Sequence, residues 1–183
     1  MRIISGKYGG RKINPPSRMP YTRPTTDVAK EGLFNIIENN IPIAGIKTLD
    51  IFGGTGSISY ELASRGARDL TVIEKDPKMY DFIKSKISEL KIENCEVIKS
   101  DVFRYLESCT EKFDLIFAGP PYALKNIDDL PQIIREKQLL TEGGWFILEH
   151  TPANNYENES MFKAMRNYGT TVFSIFVNKQ ERG

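Results

Sequence analysis

The chain has 183 residues and a net charge of +1, and its apolar fraction of 40 % is enough to bury the core of one ordinary domain. No apolar run approaches the roughly 20 residues that span a bilayer, and the first ten residues lack the apolar segment of a secretory signal. Cys95 and Cys109 have neither zinc-site nor disulfide-framework spacing, so we expect two buried free thiols and no metal site. These features predict a soluble, cytoplasmic, single-domain protein. We expect it to be a monomer, although none of these features specifies an oligomeric state.

Charge is distributed unevenly along the chain. The first 30 residues contain seven basic residues and one acid, Asp27, so this stretch carries +6 and the remainder carries −5. Such asymmetry favours an anionic partner at the N-terminal end, where Lys and Arg neutralise phosphates and release counterions. A solvated basic arm is the alternative. The candidate RNA-binding residues are Arg2, Lys7, Arg11, Lys12 and Arg23.

The first predicted elements are a small β-ribbon and a helix. Ile3-Ile4 and Lys12-Ile13 flank three glycines, a pattern typical of a glycine-bent ribbon, and four prolines between residues 15 and 24 then keep the chain extended. A helix is predicted from Asp27 to Asn39, with Thr25 or Thr26 as its cap. Its predicted apolar face consists of Val28, Leu33, Phe34 and Ile37. We expect residues 1–40 to pack on residues 41–183 within one domain.

From Lys47 onward, short apolar runs alternate with helical patterns, which predicts a parallel sheet with helices on both faces. The predicted strands are Thr48–Phe52, Leu70–Glu74, Glu96–Lys99, Phe113–Ala118 and Trp145–Glu149. The predicted helices are Ile58–Arg65, Met79–Leu90, Phe103–Ser108 and Asp128–Lys137. The last two runs, Phe162–Asn167 and Thr171–Val177, leave no room for a long crossover and favour an antiparallel hairpin, although a short helix over Met161–Tyr168 is the alternative. The fold class is therefore α/β: a doubly wound, Rossmann-like, seven-stranded and mostly parallel sheet.

A glycine loop from Leu49 to Gly56 follows the first predicted strand and opens a helix, where open α/β sheets bind ligands. Two acids lie at neighbouring strand ends: Glu74, suited to accept the hydroxyls of a ribose, and Asp101, suited to meet the amine of adenine. Acids and a glycine turn at successive strand ends predict a site for an adenosine-containing ligand.

Two residues argue against a dinucleotide. Ser59 stands where the third glycine of a dinucleotide fingerprint would be, and Asp50 places a carboxylate just before the loop. That carboxylate would repel a pyrophosphate but attract the ammonium and sulfonium charges of S-adenosylmethionine. A helix-capping or turn-closing role for Asp50 is the alternative. The loop therefore predicts S-adenosylmethionine as the cofactor.

Further motifs identify a family. Phe117-Ala118-Gly119-Pro120-Pro121-Tyr122 ends the fourth strand and resembles the (Asp/Asn)-Pro-Pro-(Tyr/Phe) motif of methyltransferases that modify exocyclic amines. Residues 1–12 (MRIISGKYGGRK) and residues 23–35 (RPTTDVAKEGLFN) resemble the RsmD-type family of bacterial small-subunit ribosomal RNA guanine-N2 methyltransferases. The resemblance covers nearly the whole chain in order.

The resemblance implies methyl transfer from S-adenosylmethionine to the N2 amine of one guanine in 16S ribosomal RNA, with ribosomal RNA or the small subunit as partner. It implies that Thr25, Thr26 and Asp27 cover the methionine end of the cofactor and that the basic ribbon binds RNA phosphates. The catalytic segment would be Gly119, Pro120, Pro121 and Tyr122. The cofactor-binding residues would be Thr25, Thr26, Asp27, Asp50, Phe52, Gly54, Gly56, Glu74, Asp101 and Val102.

Gly119 departs from the motif, because it has no side chain to accept an amine proton. Asp114 lies five residues earlier, about 16 Å away along a strand. Asp128 and Asp129 are interpreted as a helix start, with movement of their loop toward the site as the alternative. Glu149 and His150 end the fifth strand near the site and are interpreted as core or capping residues, with catalysis as the alternative. From the sequence alone, Gly119→Asp is expected to raise methyl transfer at least about tenfold.

Three alternatives remain open at this level. The chain could methylate an amine on another nucleic acid, or it could be an RNA-binding or ribosome-assembly protein that binds the cofactor without transferring the methyl group. The missing acid at Gly119 makes the second alternative credible. A nicotinamide-dependent reductase is disfavoured by Asp50 and Ser59.

Overall fold

The computed structural model describes residues 1–19 and 24–179, so that Arg23, predicted to bind RNA, lies outside the described residues. The strands are β1 (Lys47–Asp50), β2 (Asp69–Glu74), β3 (Cys95–Lys99), β4 (Phe113–Ala118), β5 (Leu140–His150), β6 (Phe162–Tyr168) and β7 (Thr171–Val177). The helices are α1 (Asp27–Glu38), α2 (Ser57–Ser64), α3 (Pro77–Leu90), α4 (Val102–Ser108) and α5 (Leu130–Glu136).

The strands form one seven-stranded sheet in the order β3-β2-β1-β4-β5-β7-β6. Pairing is parallel from β3 to β5, whereas β7 runs antiparallel to both β5 and β6. The predicted doubly wound sheet with a C-terminal antiparallel hairpin is confirmed. The alternative of a short helix over Met161–Tyr168 is wrong, because Phe162–Tyr168 pairs with β7 as strand β6.

Helices cover both faces of the sheet because the central strands bury side chains on both sides. On one face, Leu33 and Phe34 of α1 and Leu62 of α2 pack against Phe117 and Ile147. On the other face, residues of α4 and α5 pack against alternate residues of β4 and β5. Within the described part of the chain, no helix has the length and apolar character needed to cross a membrane.

Several local predictions need correction. The predicted ribbon is one antiparallel bridge between Arg2 and Lys12. Val28 is 73 % exposed and not part of the apolar face of α1, because the helix turns Ala29 to the core instead. The helix predicted from Asp128 begins at Leu130 after one turn of 3-10 helix, Ile127–Asp129.

Two further corrections concern β5 and the cysteines. Strand β5 begins at Leu140, five residues before its predicted start, because Leu140 already pairs with Phe113. The next pair is Leu115 with Trp145, so the pairing advances two residues along β4 and five along β5. Cys95 and Cys109 are free thiols as predicted, but both are half-buried and not fully buried.

The N-terminal segment is held on α2 by Glu61, whose side chain is fully buried. Its two carboxylate oxygens accept the backbone N–H groups of Ile4 and Ser5 at 2.9 and 3.0 Å. Lys30 Nζ lies 3.3 Å and Arg65 Nε 2.9 Å from the same carboxylate. Burial lowers the pKa of Lys30, while the attraction of Glu61 opposes that shift. The basic segment is therefore anchored to the helix that follows the glycine loop.

Candidate functional site

The candidate site lies where the carboxyl ends of β1, β2, β4 and β5 meet at one edge of the sheet. This edge is the position at which open α/β sheets bind ligands. Three acids end their strands there: Asp50 on β1, Glu74 on β2 and Glu149 one residue before the end of β5. Among the described residues, no group of three or more His, Cys, Asp or Glu is arranged to hold a metal ion.

The glycine loop between β1 and α2 forms a narrow turn. Gly53 N–H donates to the Ile73 carbonyl at 2.8 Å, and a Cβ added at Gly53 would lie 2.7 Å from Val72 Cγ1. Gly54 has a φ of 55°, and Gly56 caps α2 with a φ of 81°. Left-handed backbone and close packing both favour glycine, so the loop can approach a ligand without side chains in between.

Gly56→Ala is expected to destabilise the protein by more than the left-handed backbone alone would cost. A Cβ at Gly56 would lie 2.4 Å from the Tyr60 ring, whose side chain is itself buried. Gly45→Ala is the matched control, because Gly45 has a φ of 83° with open space around the added Cβ. We expect Gly45→Ala to cost about 1–2 kcal/mol and Gly56→Ala at least about 2 kcal/mol more, measured by denaturant unfolding. Equal losses in the two variants would contradict the overlap with Tyr60.

Asp50 presents a buried carboxylate oxygen to the site. Its side chain is 2 % exposed, and Oδ2 accepts the Ser59 hydroxyl at 2.9 Å. Oδ1 is also buried and has no hydrogen-bond partner among the described residues. Burial, together with the negative charges of Glu74 and Glu149, raises the pKa of Asp50 to about 7. An unpaired buried acceptor is costly, so this oxygen is suited to a cationic donor from a ligand.

Glu74 and Asp101 lie along the wall of the same edge. Glu74 Oε2 accepts the Gly54 N–H at 2.7 Å and Oε1 accepts the Asp76 N–H at 2.9 Å, so Glu74 also orders the glycine loop. Burial raises the pKa of Glu74. Asp101 is the N-cap of α4, and its Oδ1 accepts the N–H groups of Phe103 and Arg104 at 3.0 and 3.2 Å. Both capping bonds use Oδ1, which leaves Oδ2 for a ligand.

Two cavities meet at this edge. The larger, of about 380 Å³, is lined by Glu74, Asp101 and Val102 with apolar side chains such as Phe103 and Leu124. The smaller, of about 40 Å³, is lined by Asp50, Thr25 and Glu149. Residues lining both cavities are Phe52, Gly54 and Gly119. The predicted cofactor residues are thus divided between a larger cavity, which combines apolar side chains with the acids Glu74, Asp76 and Asp101, and a small acidic cavity.

The segment after β4 lies at the junction of the cavities. Gly119, Pro120 and Pro121 line the larger cavity, and Gly119 also lines the smaller one. The Pro121 carbonyl accepts the Leu124 N–H at 3.0 Å. Tyr122 is 38 % exposed and lines neither cavity.

Of the three N-terminal residues predicted to bind the cofactor, only Thr25 lines a cavity at the site. Thr25 lines the smaller cavity, and its hydroxyl donates to Glu149 Oε2 at 2.7 Å. Thr26 caps α1 by accepting the Ala29 N–H at 3.2 Å. Asp27 lies 3.7 Å from Arg2 in a largely exposed ion pair. Neither Thr26 nor Asp27 lines either cavity.

The basic side chains near the N-terminus are exposed on the segment that Glu61 anchors to α2. Arg2, Lys7, Arg11 and Lys12 are all exposed. Lys7 and Arg11 lie 5.3 and 5.4 Å from the centre of the Tyr8 ring. The segment reaches the glycine loop, because the Thr55 hydroxyl lies 3.4 Å from Met1 Sδ.

Glu149 is the site residue whose role the sequence interpretation missed. The sequence placed it near the site with a core or capping role, whereas its side chain, 5 % exposed, lines the smaller cavity. His150 has the structural role expected of it: the ring is buried and contacts Ser174 Oγ and the Thr151 carbonyl, both at 2.7 Å. Because successive residues of a strand point to opposite faces of the sheet, the side chains of Glu149 and His150 lie on opposite faces. The alternation along β5 was the sequence signal for this difference.

Comparison with known proteins extends over almost the entire chain. The family model described as conserved hypothetical protein 95 matches residues 1–177. The ribosomal RNA small subunit methyltransferase D of Buchnera aphidicola subsp. Baizongia pistaciae is 31 % identical over 186 residues, covering 97 % of this chain and 92 % of that protein.

Solved structures share the fold. A hypothetical protein of Thermus thermophilus has a TM-score of 0.85 at 24 % identity, covering 96 % of this chain and 98 % of that one. An RNA methyltransferase from Salinibacter ruber, in complex with S-adenosyl-L-homocysteine, has a TM-score of 0.66 at 14 % identity, covering 88 % and 97 %. The sequence matches show that this chain belongs to the family described as conserved hypothetical protein 95, the RsmD-type family that its motifs resemble.

Proposed function

We propose that the chain transfers a methyl group from S-adenosylmethionine to the N2 amine of a guanine in small-subunit ribosomal RNA. The observation that carries this proposal is the pair of cavities that meet at Gly119, next to Pro120 and Pro121: a small acidic cavity and a larger, mostly apolar one. Family membership supports ribosomal RNA methylation, since the Buchnera aphidicola relative is named for that activity.

The residues present fit the cofactor. Asp50 Oδ1 is a buried acceptor without a partner among the described residues, and the cofactor has an ammonium group to donate to it. The nearby carboxylate of Glu74 adds negative charge beside Asp50, which favours a ligand with a sulfonium and an ammonium. We assign the methionine end of the cofactor to the smaller cavity, where Asp50 and Thr25 bind it.

The larger cavity suits the adenosine end. Its volume of about 380 Å³ is within the range of cofactor sites, and its wall combines apolar side chains with a few polar groups. Glu74 would accept ribose hydroxyls with the lone pairs that Gly54 and Asp76 do not use. The Asp101 carboxylate would accept the adenine amine, with Val102 and Phe103 against the base.

Bound there, the cofactor supplies an activated methyl group on a positively charged sulfur. The protein must position a guanine amine whose lone pair is delocalised into the ring, and acceptors for its protons help to direct that lone pair outward. Pro120 and Pro121 have no N–H, so this segment offers carbonyl acceptors without competing donors. Because the Pro121 carbonyl already binds the Leu124 N–H, we assign the acceptor role to the carbonyls of Gly119 and Pro120.

The target base must leave its stack to reach this junction. Tyr122 is exposed next to the cavity mouth, and an aromatic ring at that position can stack on an extruded base. The exposed cations of the N-terminal segment would bind flanking phosphates.

Lys7→Glu with Arg11→Glu is expected to weaken binding of the small ribosomal subunit at least tenfold at physiological salt, because two phosphate contacts become repulsive. The log–log salt slope of binding should fall by about 1 to 2. Affinity for S-adenosylhomocysteine should not change. Lys84→Glu with Lys86→Glu, the same charge change on α3, is the control. Equal weakening by both pairs would contradict a specific role for the N-terminal cations.

Two experiments on the purified protein test the proposed function. Calorimetric titration should show binding of S-adenosylhomocysteine but not of NAD, and the reverse result would favour a nicotinamide enzyme. Small subunits from cells lacking the gene should accept a labelled methyl group from S-adenosylmethionine, recovered after digestion as N2-methylguanosine. Cofactor binding without transfer to small subunits, naked ribosomal RNA or DNA would favour the non-catalytic assembly protein instead.

A further inference from the structure

Gly119, the motif position that lacks an acid, lies next to an acid on the neighbouring strand, Glu149 of β5. Strands β4 and β5 are parallel, with Phe117 paired to Ile147 and Ala118 to Leu148. One step further along this register, Gly119 lies beside Glu149. Both positions are on the face of the sheet that also carries Phe117 and Ile147, since side chains alternate along a strand.

The Glu149 carboxylate lies in the space that a side chain at position 119 would use. A Cβ added at Gly119 would be 3.3 Å from Glu149 Oε2 and 3.1 Å from Phe117 Cε1. The carboxylate oxygens of an aspartate lie about 2.4 Å from their own Cβ, two covalent bonds away. Position 119 therefore has a carboxylate oxygen beside it, contributed by the neighbouring strand.

We propose that Glu149 is the catalytic carboxylate of this methyltransferase, accepting an N–H of the target amine in place of an acid at position 119. This inference rests on the proposed function. The nitrogen lone pair forms the bond to the methyl carbon, and the carbon–sulfur bond breaks with its electron pair left on sulfur. The nitrogen then loses one proton, which the Glu149 carboxylate takes.

The surroundings of Glu149 suit a preorganised acceptor. Its side chain is 5 % exposed, and the Thr25 hydroxyl donates to Oε2 at 2.7 Å, which fixes the carboxylate at the end of β5. It lines the smaller cavity together with Gly119 and Asp50. A fixed acceptor aimed at the position where positive charge develops needs no reorganisation during the reaction.

Other nearby acids have different roles. Asp114 accepts the Lys47 N–H at 2.9 Å and the Thr141 hydroxyl at 2.8 Å, at the opposite end of β4. Asp128 accepts the Tyr156 hydroxyl at 2.7 Å, away from both cavities. Asp50, assigned to the ammonium of the cofactor, serves a different group. Glu149 is the acid whose position matches the missing one.

Three variants test the assignment by moving the acid between strands. They are Glu149→Gln, the double variant Glu149→Gln with Gly119→Asp, and the control double variant Glu149→Gln with Gly119→Ala. The readouts are the single-turnover rate of methyl transfer to small subunits at saturating S-adenosylmethionine, and the calorimetric affinity for S-adenosylhomocysteine.

Glu149→Gln should lower the transfer rate about 100-fold, as expected for one preorganised group, and leave S-adenosylhomocysteine affinity within about threefold. Adding Gly119→Asp should recover at least about tenfold of that rate, and adding Gly119→Ala should recover none. A Glu149→Gln rate within about threefold of wild type would overturn the inference. So would rescue by alanine, or parallel losses of rate and of cofactor affinity, which would indicate a structural or cofactor-binding role.

Gly119→Asp in the wild-type background is a further check. Two carboxylates in one space oppose each other's ionisation, so the tenfold increase expected from the sequence alone should not occur. Such an increase would overturn the inference. Wild-type protein that binds S-adenosylhomocysteine but transfers no methyl group would refute the proposed function itself, which distinguishes the two failures.

Discussion

Asp50→Asn is expected to lower the affinity for S-adenosylhomocysteine by about 10- to 100-fold. The buried Oδ1 has no partner among the described residues, and the ligand's ammonium would form a charge-assisted hydrogen bond with it. Such bonds contribute about 1.5–3 kcal/mol, which corresponds to that range of affinity. The affinity of the wild type should rise from pH 6 to pH 8, as a carboxyl group with a pKa of about 7 becomes ionised. Calorimetric titration of both proteins at the two pH values measures these effects.

The same substitution should stabilise the ligand-free protein at high pH. The pKa of Asp50 is raised from 3.8 to about 7, so the folded state binds more protons than the unfolded state between these values. The wild-type protein is therefore most stable with respect to Asp50 below about pH 4, where this carboxyl group is protonated in both states. As the pH rises from about 4 to about 7, its free energy of unfolding should fall by about 4 kcal/mol in total. Asparagine does not ionise. The stability difference between variant and wild type should grow in favour of the variant from pH 5 to pH 8.

Asp69→Asn is the control for both measurements, because Asp69 lies at the opposite end of β2 in an exposed pair with Arg68. It should change neither the affinity nor the pH dependence. Unchanged S-adenosylhomocysteine affinity in Asp50→Asn would contradict the assignment of Asp50 to the ligand's ammonium group.

Glu61→Gln is expected to cost about 3–5 kcal/mol of folding free energy, the loss typical when one partner of a buried ion pair is removed. The Glu61 carboxylate accepts from four donors: Ile4 N–H, Ser5 N–H, Lys30 Nζ and Arg65 Nε. A glutamine would turn an NH2 group toward donors, leaving the Lys30 ammonium buried without its carboxylate. For a chain of this length, the midpoint of thermal unfolding should fall by roughly 10 °C.

Glu38→Gln provides the matched control, since Glu38 pairs with Arg65 at 3.1 Å but is 47 % exposed. Exposed pairs contribute little, so its loss should stay under about 1 kcal/mol. Similar losses in Glu38→Gln and Glu61→Gln would show that the N-terminal segment is not anchored through Glu61. Because the cations that we assign to RNA binding lie on this segment, Glu61→Gln should also weaken small-subunit binding.

The sequence predicted the sheet and most strand ends because hydrophobic periodicity and glycine turns are local signals. Asp50 and Glu74 could be located at the site for the same reason: each ends a strand, and parallel strands end at one edge. The start of β5 was missed because the pairing of Leu140 with Phe113 is a contact with another strand, and residues 141–144 interrupt the regular pairing of β5 before Trp145. Val28 was misplaced because a rotation of α1 by one residue brings Ala29 to the core.

The role of Glu149 could not be predicted from local pattern alone. Its identity as an acid at a strand end was visible, but its relation to Gly119 depends on the register between β4 and β5 and on the Thr25 hydroxyl, 124 residues away in the chain. Asp101, in contrast, could be predicted from local sequence. It follows the end of β3, where the same short segment both caps α4 and lines the larger cavity.

Analysis of small-subunit ribosomal RNA in cells tests the account most directly. Nucleosides and reverse-transcription stops would be compared among cells with the gene, cells lacking it, and cells complemented with wild type or Glu149→Gln. We predict that one N2-methylguanosine disappears on deletion, returns with the wild-type gene, and returns poorly with Glu149→Gln. An unchanged content of N2-methylguanosine at every position after deletion would contradict the proposed methyl transfer.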